Sequence, residues 1–146
     1  MSVHVSVDID APPDRVWAVI EPIERHVDWM ADAVSITFTG DRRRGVGTTF
    51  ECLTKIGPFH TVDRMVVTEW EPARAMGVEH RGVFTGRGRF SLEPIADGRT
   101  RFSWTEAVEF PWYLGGALGA AAAGPAFRRV WLGNLRRLAS LVASAG

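Results

Sequence analysis

The chain has 146 residues, 46% of them hydrophobic, and a formal net charge of zero. That is the size and apolar content of one globular domain, and a balanced charge argues against general nucleic-acid binding, which needs a basic face. A single cysteine, Cys52, rules out an internal disulfide. Residues 2–10 place Val3, Val5, Val7 and Ile9 in alternation with polar residues, the pattern of a half-buried strand. They lack the basic-then-apolar run of a secretory leader, so a cytoplasmic location is the expectation. Pro12, Pro13 and Asp14 then open a short helix with Val16, Trp17 and Ile20 on one face. A second short helix runs from Pro22 to about Met30, with Ile23, Val27 and Met30 as its apolar edge and His26 exposed.

Strand two covers 33–39 and strand three 48–55, joined through Arg42, Arg43 and Arg44 and flanking glycines. No helix follows those glycines, so they do not form a phosphate cradle. Strand four covers 59–70, five 74–81, six 86–93 and seven 100–110. The turn signals between them are Gly57-Pro58, Glu71-Pro72-Ala73 and Pro94 to Arg99. Strands joined by such short turns make an antiparallel meander. The chain ends in a long helix with a break near Pro125. Residues 110–127 are uncharged, at the edge of membrane-span length, but prolines and glycines interrupt them, so no stable span is expected. From Phe127 to Val142 the segment is amphipathic.

This order resembles the START-like, helix-grip (SRPBCC) superfamily, and within it the polyketide cyclase/dehydrase-like and lipid-transport-like branch. The resemblance rests on Ala11 to Trp17 after strand one, Trp29 ending the second helix, and Gly45-Val46-Gly47-Thr48 entering strand three. Val67 to Arg74 and Asp97 to Phe102 carry the later turns. It covers nearly the whole chain, 1–146, as one domain. It implies an α+β fold: a seven-stranded antiparallel sheet curved around the long C-terminal helix, two short helices between strands one and two, and an apolar cavity between sheet and helix. No cofactor is implied.

Alternation in strand seven turns Phe102, Trp104, Glu106, Val108 and Phe110 inward. Glu106 is then either a rim or salt-bridge residue or a group tuned for ligand or proton chemistry. Phe90 and Leu92 share a face with Gly86 and Gly88, glycines that leave room for a ligand or for the helix. The family register turns Phe50 and Cys52 inward, with Cys52 a small buried residue rather than a nucleophile. Strand five stays open: hydrophobicity favours Met76, Val78 and His80 inside, whereas the family register favours Gly77, Glu79 and Arg81. In the second case Glu79, Arg81 and Glu106 form a polar cluster and are the catalytic candidates. Strand four is equally open, with Val62, Arg64 and Val66 against Thr61, Asp63 and Met65. On the long helix Phe127, Val130, Trp131, Asn134 and Leu138 share a face. Asn134 is the polar member, bound either to the protein interior or to a ligand.

Trp29, Phe50, Cys52, Phe90, Leu92, Phe102, Trp104, Glu106, Phe127, Val130, Trp131 and Asn134 are therefore the expected ligand-binding residues. The scattered histidines show no metal-ligand spacing. The expected function is binding or transport of a small hydrophobic molecule: a lipid, polyketide or aromatic metabolite. The alternative is a polyketide cyclase/aromatase or dehydratase. An interaction module acting through its arginine surfaces is a third reading. A homodimer is left open.

Overall fold

The alternating valines form β1 (Ser2–Ile9), with Val3, Val5 and Ile9 buried. The computed structural model describes residues 1–145. Helix α1 (Pro13–Ile20) starts on Pro13, carries Asp14 in its first turn and buries Val16, Trp17 and Ile20. The next helical segment is a 3-10 turn, Ile23–Asp28, and this corrects the expected α-spacing. A 3-10 turn repeats every three residues. It therefore turns Ile23, His26 and Trp29 inward and leaves Val27 half-buried, so His26 is buried rather than exposed.

Six strands follow: β2 (Ala33–Phe38), β3 (Thr49–Ile56), β4 (Phe59–Glu71), β5 (Ala75–Arg81), β6 (Thr85–Ile95) and β7 (Arg99–Glu109). All seven strands form one antiparallel sheet in the order β1-β7-β6-β5-β4-β3-β2. The seven-stranded helix-grip arrangement implied by the resemblance is therefore present. Two register shifts interrupt the ladder, between Ala33 and Ser35 and between Val67 and Glu69. The second decides which residues face inward. Asp63 and Val67 are buried before it; beyond it Trp70 pairs with Met76, and its ring meets Trp17 edge-on at 5.2 Å. One extra residue in β4 thus moves the inner face from odd to even positions. Thr61, Asp63 and Met65 are inward on β4, and Met76, Val78 and His80 on β5.

Helix α2 (Gly116–Ala145) runs without a break, and the expected interruption at Pro125 is absent. Proline denies a hydrogen bond to the carbonyl four residues back, here that of Ala121. Both Pro125 and Ala121 are exposed, so water can take that acceptor. α2 lies chiefly along β1 and less on β7. Leu135, Leu138 and Val142 are fully buried there, each worth about 1.5–3 kcal/mol relative to exposure.

Candidate functional site

The inner faces of β3 to β7, the 3-10 turn with the residues after it, and the middle of α2 enclose a cavity. Its volume is about 120 Å³, several times the roughly 10–15 Å³ needed for one water. Most of its wall is apolar. A run of neighbouring rings crosses it: Phe59–Phe84 at 5.9 Å, Phe84–Phe110 at 4.8 Å, Phe110–Phe127 at 6.2 Å and Phe127–Trp131 at 5.3 Å. Trp131 stacks on Trp104 at 5.0 Å. Phe59, at one end of the run, is 37% exposed.

Within this apolar wall sits a polar corner built by three strands. Glu106 on β7 is 5% exposed. Its Oε2 accepts from His80 Nε2 on β5 at 2.9 Å and its Oε1 from Trp104 Nε1 at 3.0 Å. β6 lies between β5 and β7, so Glu106 must reach across it. A glycine on the inner face of β6 allows this: Gly88, opposite Val78 and Glu106. A Cβ on Gly88 would stand 2.4 Å from Glu106 Oε1. The room left by this glycine is used by a side chain of the protein itself, whereas a Cβ on Gly86 would meet the Ala107 backbone.

Asp63 completes the corner from β4. It is 9% exposed, and its Oδ2 accepts from Thr54 Oγ1 at 3.0 Å. Met65 is paired with His80, so Asp63 is the diagonal neighbour of His80 on the same face. Asp63 Oδ1 and His80 Nδ1 are buried with no hydrogen-bond partner among the described residues.

The electrostatics follow from burial and these partners. Burial raises the Asp63 carboxyl above its ordinary value, against the opposing charge of His80 and the Thr54 hydrogen bond. Burial alone would lower His80; the Glu106 hydrogen bond and the charges of Glu106 and Asp63 outweigh it and raise His80 above 6.5. Burial takes the Cys52 thiol to about 11, which leaves it protonated and a poor nucleophile. Burial takes His26 down to about 4, although its Nε2 is 2.7 Å from the Ile20 carbonyl oxygen.

The two histidines therefore affect stability in opposite senses. In the unfolded chain both take up a proton near 6.5. Folded His26 resists it until about 4, so its contribution is present above 6.5 and is lost as pH falls. His80 contributes fully below 6.5 and loses that contribution as pH rises through its raised folded value. Asp63, also raised, contributes fully below 3.8 and less as pH rises. Imidazole NMR titration should find His26 near 4 and His80 above 6.5. A His80 value below 6.5 would contradict the Glu106 pairing.

Of the residues expected to bind ligand, Phe50, Cys52, Phe90, Trp104, Glu106, Phe127 and Trp131 line the cavity. Trp29, Leu92, Phe102, Val130 and Asn134 do not. Leu92 pairs with Phe102 one inward rung beyond Phe90 and Trp104, in the closed core. Trp29 is 1% exposed and packed among Phe90, Phe102, Trp104 and His26. Val130 is turned aside on α2, half-buried. Asn134 is fully buried and engaged by the protein: its Nδ2 donates to Asp32 Oδ1 at 2.7 Å and its Oδ1 accepts from Ala31 N at 2.9 Å.

The cluster of Glu79, Arg81 and Glu106 does not form. With β5 in its observed register, Glu79 and Arg81 point away from the cavity and pair with each other at 3.2 Å. The polar partners of Glu106 are His80 and Trp104 instead. Asp32 was also missed: it lines the cavity and accepts from Trp131 Nε1 at 3.3 Å. His80 and Asp63 each belonged to one of two equally plausible strand faces. Among the described residues, no group of three or more His, Cys, Asp or Glu side chains is placed to hold a metal ion, and no helix is long and apolar enough to cross a membrane.

A family model described as polyketide cyclase / dehydrase and lipid transport matches residues 1–143. Among solved structures the chain is similar to TTHA0849 from Thermus thermophilus, with a TM-score of 0.84 and 19% identity over 100% of this chain and 99% of that one. It is similar to the Zhui aromatase/cyclase from Streptomyces sp. R1128, with a TM-score of 0.76 and 14% identity over 98% and 93%. A START superfamily protein from Mycobacterium smegmatis gives a TM-score of 0.76 and 15% identity over 96% and 98%. At these identities the likeness establishes the fold. No curated protein matches the sequence.

Proposed function

Because the chain belongs to the polyketide cyclase / dehydrase and lipid transport family, we propose that it binds and carries a small, largely apolar molecule in the cavity beneath α2. The observation behind this reading is the composition of the cavity: aromatic and aliphatic walls with one compact polar corner. Apolar area supplies affinity in such a pocket, and a few polar groups fix orientation. The ligand's hydrocarbon lies against Phe50, Phe90, Met65 and the Trp104–Trp131 stack, and its polar atom meets His80 and Asp63.

Intrinsic fluorescence tests the reading directly, since two stacked tryptophans line the space. Titration with Nile red, an uncharged apolar dye, should give saturable binding near one dye per chain and quench tryptophan emission. Val78→Trp, which fills the cavity from β5, should abolish binding while the protein still melts cooperatively. Binding that never saturates, or that Val78→Trp leaves intact, would count against the proposal.

The buried His80–Glu106 pair favours a second reading, a cyclase/aromatase or dehydratase acting on a poly-ketone chain. Glu106 would hold His80 in place and stabilise its protonated form. The Nδ1 position would then be left to exchange a proton with a substrate oxygen or α-carbon. Dehydration balances if His80 takes the α-proton and an acid such as the raised Asp63 protonates the departing hydroxyl. Glu106→Gln should then abolish turnover of a poly-β-ketone substrate while Nile red still binds. If no substrate turns over with the wild-type protein, carriage remains the reading.

A further inference from the structure

The polar corner also carries information about the charge of the ligand. Three carboxyl groups face the cavity: Asp32 from the loop before β2, Asp63 from β4 and Glu106 from β7. Against them stand two imidazoles. His26 is buried deeply enough to stay uncharged down to about pH 4, and His80 is already bound to Glu106. Among the described residues lining the space, Arg89 is the one lysine or arginine, and its guanidinium is held at 2.8 Å by Glu69 on the outer face. The Met1 ammonium group donates to the Val108 carbonyl at 2.8 Å. Two neutral donors, Trp131 Nε1 and Asn134 Nδ2, are taken by Asp32. A third, Trp104 Nε1, is taken by Glu106. The Met1 ammonium, hydrogen-bonded to a neutral carbonyl of β7, keeps its charge; the side chains of the polar corner itself offer no unpaired cation to an incoming anion. Three buried side-chain atoms are left without partners among the described residues: Trp29 Nε1, whose residue does not line the cavity, and Asp63 Oδ1 and His80 Nδ1, an acceptor and a ring nitrogen that suit a single hydroxyl.

We propose that the site selects apolar ligands whose polar end is an uncharged oxygen, such as an alcohol, phenol or ketone, and discriminates against fatty-acid and other carboxylate anions. The inference rests on the reading of the cavity as a ligand site and narrows its ligand class. The physical ground is desolvation combined with like charge. An ion leaving water needs a partner. Here it meets carboxyl groups, among them Asp63, which burial already makes reluctant to ionise. An uncharged oxygen meets no such opposition, and a hydroxyl satisfies both Asp63 Oδ1 and His80 Nδ1.

The test uses two ligands with the same chain length, 1-decanol and decanoate, competing with Nile red at pH 7.5. Decanol should bind at least ten-fold more tightly than decanoate. Because decanol also leaves water more readily than decanoate, the variants separate selection from partitioning. Asp63→Asn keeps an acceptor for Thr54 and removes one carboxyl group; Glu106→Gln removes another. Each should reduce the alcohol-to-acid affinity ratio several-fold, and the two provide independent checks if one folds poorly. A ratio unchanged in both variants would assign the preference to partitioning and overturn the proposal. Decanoate binding as tightly as decanol would also overturn it, as would displacement of Nile red by neither. Failure of Nile red itself to bind would instead remove the ligand-site reading, and this inference with it.

Discussion

Alanine at position 88 should break the Glu106–His80 pair and lower stability by about 2–4 kcal/mol, an effect large for one added methyl group. The added Cβ would stand 2.4 Å from Glu106 Oε1, 2.8 Å from Cδ and 2.9 Å from Oε2. A carboxylate tip can normally swing aside cheaply. This one is held by His80 on one oxygen and Trp104 on the other, so retreat gives up both bonds. Hydrogen bonds to charged groups contribute about 1.5–3 kcal/mol each, and a buried partner left behind adds its own desolvation cost. Urea denaturation of Gly88→Ala reads the stability. NMR titration of His80 reads the mechanism, because the imidazole loses the partner that raises it and its pKa should fall. A double-mutant cycle isolates the clash: on a Glu106→Ala background the same Gly88→Ala change should cost little. Equal costs in the two backgrounds would mean that Gly88 serves the backbone and not Glu106. Gly86→Ala is a useful contrast. There the Cβ would meet the Ala107 carbonyl oxygen at 2.0 Å from a residue with φ +145°, a backbone clash that no side-chain movement relieves.

This pair shows where sequence reading stops. The alternation of β7 is unbroken, and it turns Glu106 inward with no help from the rest of the chain. The glycines of β6 are legible as open space, but what fills that space depends on a residue two strands away. His80 and Glu106 are 26 residues apart, and no local pattern couples them. In β5 the two faces carry similar mixtures of apolar and polar residues, so the strand cannot orient itself. Its face is set by pairing with β6, where Met76 lies opposite Phe90 and His80 opposite Gly86, and with β4, whose own parity changes at the register shift between Val67 and Glu69. Register with its neighbours, not the pattern of β5 itself, thus decides whether His80 or Glu79 and Arg81 reach the cavity. The 3-10 turn misled for a related reason: a repeat of three in place of 3.6 changes which residues align, and it brings His26 and Trp29 together in the core. The helix-grip order was legible because it depends on turns and alternation, which are local. The polar corner was not, because it is assembled across strands.

Asn134 offers the clearest test of how α2 is attached to the rest of the site. It was the one polar residue on an otherwise apolar helix face, and both a protein bond and a ligand bond fitted that position. The observed partners make it a clasp. Its Nδ2 donates to Asp32 Oδ1 at 2.7 Å, and its Oδ1 accepts from Ala31 N at 2.9 Å and from Arg137 Nη2. Arg137 Nε also donates to the Trp29 carbonyl at 3.1 Å. The residues thus tied to the helix, 29–32, include Asp32, and Met30 and Asp32 line the cavity. Asn134→Leu keeps the bulk and removes every one of the bonds that Asn134 makes. It leaves Asp32, 8% exposed, with Trp131 Nε1 at 3.3 Å as its remaining donor. A hydrogen bond to a charged group contributes about 1.5–3 kcal/mol and a stranded buried acceptor adds its desolvation cost, so the loss expected here is about 3 kcal/mol by denaturant unfolding. Asp32→Asn in the same background should recover part of it, because an amide in place of the stranded carboxyl group carries no charge to desolvate. Ligand affinity should also fall in Asn134→Leu beyond what the stability loss explains, since the wall formed by Met30 and Asp32 loses its anchor. A loss below about 1 kcal/mol, or no rescue by Asp32→Asn, would show that apolar packing of α2 on β1 holds that wall without the clasp.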